Sequence, residues 1–269
     1  MIKTKENVTK LNNYLNLDRQ IVGVKFLKTK EDFDNSPGRK LTHIMAYCTM
    51  VRNASKGHCI KADVNNFACL ASAMAVGLVE PSKADLDGTN RVAFGAYKNL
   101  EISKKVSENM VYCSEKNYGV NIMPLSEFEE NPDIVIIVTN NFNMMRIAQG
   151  YAYFYGHVEN AKFSGMQAMC QECTSYPYMT DDINFSFMCA GTRMLCQWKD
   201  SEMAVGLPFN RFDNLVEGVK QTINPLERDK NKKIIEDKIN SSNFKDDLNI
   251  KYNDNYDDGY YIGLKLLEK

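Results

Sequence analysis

Apolar positions along the chain switch between two periods, and the switches delimit the expected elements. Val8, Leu11, Tyr14 and Leu15 recur at helical spacing after Thr4, and an apolar run over 21–26 then reads as a strand. Leu41, Ile44, Met45, Cys48, Val51 and Arg52 return to helical spacing, with Gly57 placed as a stop. Small and apolar residues over 63–76, ending at Gly77, predict a third helix capped by Asp63 or Asn65. Residues 91–125 mix β-formers with Gly95, Gly119 and Pro124, which predicts two or three strands.

Ser126 begins a short capped helix, and Asn131-Pro132 breaks it before the strongest strand of the chain, 133–138. Thr139, Asn140 and Asn141 cap a helix over 142–151, and Ser164 with Gln167 predicts a capping box for another through Cys173. An alternating stretch, 183–188, reads as a strand. Pro208 opens a final helix with the stripe Phe212, Leu215, Val216, Val219 and Ile223. After Pro225 the chain turns polar and charged until Tyr260, Tyr261, Ile262, Leu264 and Leu266, which predicts a peripheral extension over 225–269, a helix and a closing strand.

The chain also echoes itself. Met74-Ala-Val-Gly-Leu78 recurs as Met203-Ala-Val-Gly-Leu207, and each copy follows two cysteines at similar spacing, Cys48 with Cys69 and Cys170 with Cys189. Each second cysteine has an Asp, an Asn and a Phe shortly upstream. The expected fold is therefore one α+β domain over 1–224, made of two pseudo-symmetric halves, 1–125 and 126–224, each a small mixed sheet with packed helices. Equivalent cysteines would then meet at the seam between halves.

Composition narrows the chemistry. With 269 residues, 44% of them hydrophobic and 25% charged, the chain can bury a large core, and its net charge of −1 argues against a nucleic-acid partner. No run is long enough to span a bilayer, and the polar first twenty residues lack a secretory pattern, so a cytoplasmic protein is expected. Eight cysteines in a reducing compartment are core thiols, reactive thiols or metal ligands. Four thiolates, Cys48, Cys69, Cys170 and Cys189, match the soft-ligand set of an iron-sulfur cluster or of zinc. Against this stands packing, because free cysteine is often buried without chemical purpose. Cys59, Cys113 and Cys196 carry no pattern and are read as structural. Arg52 and Arg193 each follow a paired cysteine by four residues, placing them as substrate-binding cations. Gly-rich phosphate loops, HExxH and GxSxG are missing from the sequence.

The order Val22-Gly-Val, Cys48 with Val51, Ala54-x-x-Gly57, Cys69 before Gly77-Leu78, then Cys189-x-Gly191-x-Arg193 ahead of Gly206-Leu-Pro208 resembles domain of unknown function family 169. The resemblance spans residues 15–222. It implies a setting in archaea and anaerobic bacteria and brings no activity. Two functions are expected from different classes: a cysteine-ligated, iron-sulfur protein doing redox or Lewis-acid chemistry on a small molecule, as an oxidoreductase or lyase, or a non-enzymatic protein binding a small ligand between its halves. The expected partner is a small-molecule substrate or ligand, with self-association into a homo-oligomer left open, and neither nucleic acid nor membrane.

Overall fold

The computed structural model describes residues 2–223. The expected extension over 225–269 lies outside the described residues. One seven-stranded sheet organises the rest, in the order β2 (Arg39–Lys40), β3 (Ile60–Asp63), β4 (Gly119–Pro124), β1 (Val22–Leu27), β5 (Ile134–Asn140), β7 (Glu202–Pro208), β6 (Asn184–Ser186). Every pairing is antiparallel except β2 with β3. The α+β class agrees with the sequence, but the strands form a single sheet, because β1 and β5 pair directly with Gly23 opposite Val135.

Strand alternation sorts side chains between two helical layers. Val22, Val24, Phe26, Ile134, Ile136 and Val138 face a core shared with α3 (Tyr47–Ala54), α4 (Leu70–Ala75) and a π-helix over Ala168–Ser175. Val135, Ile137, Val205 and Leu207 face the opposite core, closed by α1 (Ile2–Leu15), α8 (Asn141–Tyr155) and α11 (Phe212–Gln221). The stripes read from the sequence for α1 and α11 are the buried ones, and Asn140 caps α8 by accepting from the Asn143 N–H at 2.9 Å. The helices α8 and α11 cross at Gly150 and Gly218, where a Cβ on Gly218 would stand 1.9 Å from the Gly150 carbonyl oxygen.

Several expected elements form differently. The helix read over 41–52 starts only at Tyr47, because the preceding segment runs extended: β2 pairs with β3, and the Met45 N–H donates to the Asn66 carbonyl at 2.7 Å. The helix expected over 63–76 divides into the end of β3, a 3-10 turn over Val64–Asn66, and α4. In 91–125 the expected strands reduce to β4 alone. The rest is two short helices, α6 (Thr89–Ala93) and α7 (Leu100–Glu108), with irregular chain between and after them, preceded by α5 (Lys83–Leu86).

This helical insertion is held by polar side chains, which hydrophobic periodicity cannot register. Buried Arg91 donates to the Ser107 hydroxyl at 3.0 Å, the Tyr112 hydroxyl at 2.9 Å and the Gln167 side-chain oxygen at 3.1 Å. Ser164 makes no capping box. Its N–H donates to the Glu172 carboxylate at 2.8 Å, and the π-helix opens at Gln167 in the left-handed region. Pro208 ends β7 instead of opening a helix, and a 3-10 turn over Phe209–Arg211 precedes α11. The repeated pentapeptide takes two conformations. Met74 and Ala75 close α4 with Val76 and Gly77 in the following turn, whereas Met203–Leu207 is strand in β7. Identical residues at those sites are therefore not equivalent positions.

Candidate functional site

Four separate elements deliver thiols to one face of the sheet. Cys48 lies in the first turn of α3, half-buried beside the stripe Tyr47, Met50, Val51 and Ala54. Cys69 and Cys189 occupy the N-cap positions of α4 and of α10 (Ala190–Cys196). Neither uses its side chain to cap its helix, so both thiols remain available to other partners. Cys170 sits in the π-helix, a rare conformation concentrated at functional sites. Cys69 is exposed, Cys189 half-buried and Cys170 buried, so the group runs from the surface into the core.

Three of the four predicted thiols lie within electrostatic reach of the fourth, Cys170. Burial pushes the Cys170 thiol far up, and the next contributions come from the charges that Cys69, Cys189 and Cys48 would carry. All three stand close enough to oppose its ionisation. This is electrostatic range, wider than bonding range: among the described residues no group of three or more His, Cys, Asp or Glu side chains stands positioned to hold a metal ion.

A fifth thiol adjoins the group: Cys196, read as structural from the sequence, is fully buried in the core. Cys196 faces Cys48, whose hydrogen bond is the largest influence lowering it. Burial opposes that shift, while the hydroxyls of Thr49 at 3.6 Å and Thr192 at 3.7 Å and the charge of Arg52 support it. Cys48 is correspondingly raised, first by Cys196 and then by burial. A signal did exist: Cys189, Thr192 and Cys196 fall at i, i+3 and i+7, one stripe of α10.

The two predicted arginines are engaged differently. Arg193 donates to the backbone carbonyls of Lys199 at 3.1 Å, Phe187 at 3.0 Å and Glu202 at 2.8 Å, tying α10 to both flanking strands. Arg52 keeps a buried Nε without a hydrogen-bond partner, and its charge acts on Cys196. Cys173 and Cys113 are buried and raised chiefly by that burial, Cys113 to about 12, as packing thiols would be. Cys59 lies apart from the converging group. It lines a cleft of about 450 Å³ beside β2, together with Arg39, Lys40, His43 and His58. Lys40 there is already paired with Asp63 at 3.1 Å.

Comparison with known proteins agrees with the extent of the folded core. The family model of domain of unknown function 169, described as uncharacterised ArCR, matches residues 10–218. An uncharacterised protein of Methanocaldococcus jannaschii is 27% identical over 218 residues, covering 80% of this chain and 93% of that one. No solved structure matches the chain. Among the described residues no helix is long and apolar enough to cross a membrane.

Proposed function

Because the chain belongs to the uncharacterised ArCR family, domain of unknown function 169, its chemistry has to be read from its own residues, and we propose a cysteine-ligated metal protein. The cofactor of choice is an iron-sulfur cluster, with zinc as the alternative. One observation carries the reading: thiols from three other elements, Cys48, Cys69 and Cys189, lie within electrostatic reach of Cys170. Packing alone gives no reason for four elements to bring the same side chain to one place.

The donor set fits a soft ion, since the gathered groups are all thiols. Cys48, Cys69, Cys170 and Cys189 would be ligands, with Cys196 a substitute beside Cys48. Thiols that oppose one another's ionisation in the free protein would be relieved by a cation among them. Such a group would supply an electron store or a Lewis acid. Arg52, with an unpartnered donor at the site, would meet an anionic part of a small substrate, and Arg193 would hold α10 in place.

We also infer that the two halves descend from one unit. Val22 pairs with Pro124 and Ile134 pairs with Pro208, and each Pro is followed by a 3-10 turn and then Phe, Phe128 and Phe212. The order β3-β4-β1 continues as its mirror sequence β5-β7-β6, with β1 and β5 meeting antiparallel at the centre. Cys69 and Cys189 each begin the first helix after β3 and β6, as equivalent positions would. The echo that supports duplication is therefore Pro124 to Phe128 against Pro208 to Phe212, and the repeated pentapeptide is coincidental.

The test is anaerobic purification, a visible spectrum, and assay of iron, zinc and acid-labile sulfide per chain. A brown protein with iron and sulfide, lost in Cys69→Ser and Cys189→Ser, is the expected result. Stoichiometric zinc without colour would keep the thiol site and remove redox chemistry. A metal-free protein, prepared with iron and sulfide supplied, would overturn the proposal and leave the thiols as packing.

A further inference from the structure

The π-helix has a second chemical face. Cys170 points its chemistry toward the gathered thiols, while Gln171 and Glu172 line a separate cavity of about 380 Å³. That cavity lies between α7 and the connection from α8 to the π-helix, with Val106, Met110, Lys162 and Phe163 among its walls. Its volume is within the range of small-molecule sites.

Two buried groups among its lining residues matter most. Gln171 is only 5% exposed, yet its side-chain Nε2 is buried with no hydrogen-bond partner. An amide donor left so costs free energy unless something accepts from it. Glu172 is equally buried, but its carboxylate is fully occupied on the protein side, accepting from the Ser164 N–H at 2.8 Å and from the Ser186 hydroxyl. Glu172 therefore holds the wall, and Gln171 is the group that lacks an acceptor.

One lysine, Lys162, stands at the mouth with no carboxylate paired to it among the described residues, and the sides are apolar. Lys162 reaches across from the connecting segment and donates to the Asn109 Oδ1 at 2.8 Å, while Lys105, which lines the same opening, is paired with Glu101 at 2.8 Å. The segment bearing Lys162 is itself fastened: its N–H donates to Asn184 Oδ1 at 2.8 Å, and Asn184 donates back to its carbonyl at 2.9 Å. The site is thus built on clamped backbone.

We propose that this cavity binds a small organic carboxylate, whose oxygen accepts from Gln171, whose charge meets Lys162, and whose apolar body lies against Val106, Met110 and Phe163. The inference does not rest on the thiol site holding a metal. A neutral molecule of the same shape would satisfy the walls and leave Lys162 unmatched.

The test titrates the full chain with hexanoate by calorimetry at low ionic strength, with hexanol as the neutral comparison. Saturable hexanoate binding is expected, with hexanol about tenfold weaker, and Gln171→Leu and Lys162→Gln each weakening hexanoate about fivefold or more. Lys40→Gln, in the cleft beside β2, should bind as the parent does. Lys162 is exposed, so its variant answers even if Gln171→Leu fails to fold. No saturable hexanoate binding, or full affinity in Lys162→Gln, would overturn the proposal.

Discussion

Single buried charges give this protein its sharpest local tests. Arg19 grips Glu202 with two hydrogen bonds, Nε to Oε1 at 2.6 Å and a second guanidinium nitrogen to Oε2 at 3.1 Å, while stacking on Trp198 at 4.7 Å. Burial works against the Glu202 charge, but Arg19 and the Lys199 N–H outweigh it, and the carboxyl is lowered below its ordinary 4.5. Removing the cation strands a buried carboxylate, so Arg19→Met is expected to cost about 3–5 kcal/mol in denaturant unfolding at neutral pH. The loss should shrink as pH falls through the lowered value, where the pair dissolves in the parent as well. Glu172 behaves oppositely. Its folded carboxyl is raised above 4.5, chiefly by burial, so the native state holds its proton to higher pH than the unfolded chain does. Stability contributed by that proton is present below 4.5 and declines as pH rises through the raised value. Glu172→Gln should flatten this part of the stability profile, and an unchanged slope would show that the carboxyl is not perturbed.

Elements meet here through glycines. A Cβ on Gly206 of β7 would stand 2.0 Å from the Cys173 carbonyl oxygen, which means that the π-helix lies directly on the strand. Gly206→Ala must push that helix outward, and overpacking of this kind costs about 1–3 kcal/mol. Because the same helix carries Cys170 and Gln171, the variant is expected to disturb both metal retention and hexanoate binding. Gly218→Ala, at the crossing of α8 and α11 on the other face, should cost a comparable amount while leaving both sites intact. Measuring the two variants side by side separates a local effect on the π-helix from simple loss of stability. Equal loss of metal in both would argue that the thiol site merely reports global stability.

At the scale of the whole molecule, the halves cannot be parted without exposing a core. The strands β1 and β5 join at the centre of the sheet, α1 packs on α11 from the opposite end of the chain, and α3 and α4 pack on the π-helix. Residues 1–128 produced alone are expected to show no cooperative unfolding transition, since β1 would become an open edge and α1 would lose its partner. A cooperative transition for that fragment would mean that residues 1–128 fold without the rest of the sheet. Hydrophobic periodicity alone determined the α+β class, the stripes of α1 and α11 and the buried strand β5, while the spacing of an internal echo singled out Cys48, Cys69, Cys170 and Cys189 from eight cysteines. These are local or repeated patterns, written in residue spacing. Only tertiary structure decided that one sheet runs through both halves, because strand pairing joins residues far apart in sequence. It likewise decided the helices α5 to α7, whose anchor is the buried polar network of Arg91, and the loss of helix over 41–46, where the Leu41 N–H donates to the Lys61 carbonyl of β3 and Met45 bridges to Phe67. Cys196 and Gln171 belong to this second class. What makes each informative is a neighbour contributed, or withheld, by another part of the fold, and no spacing along the chain records that.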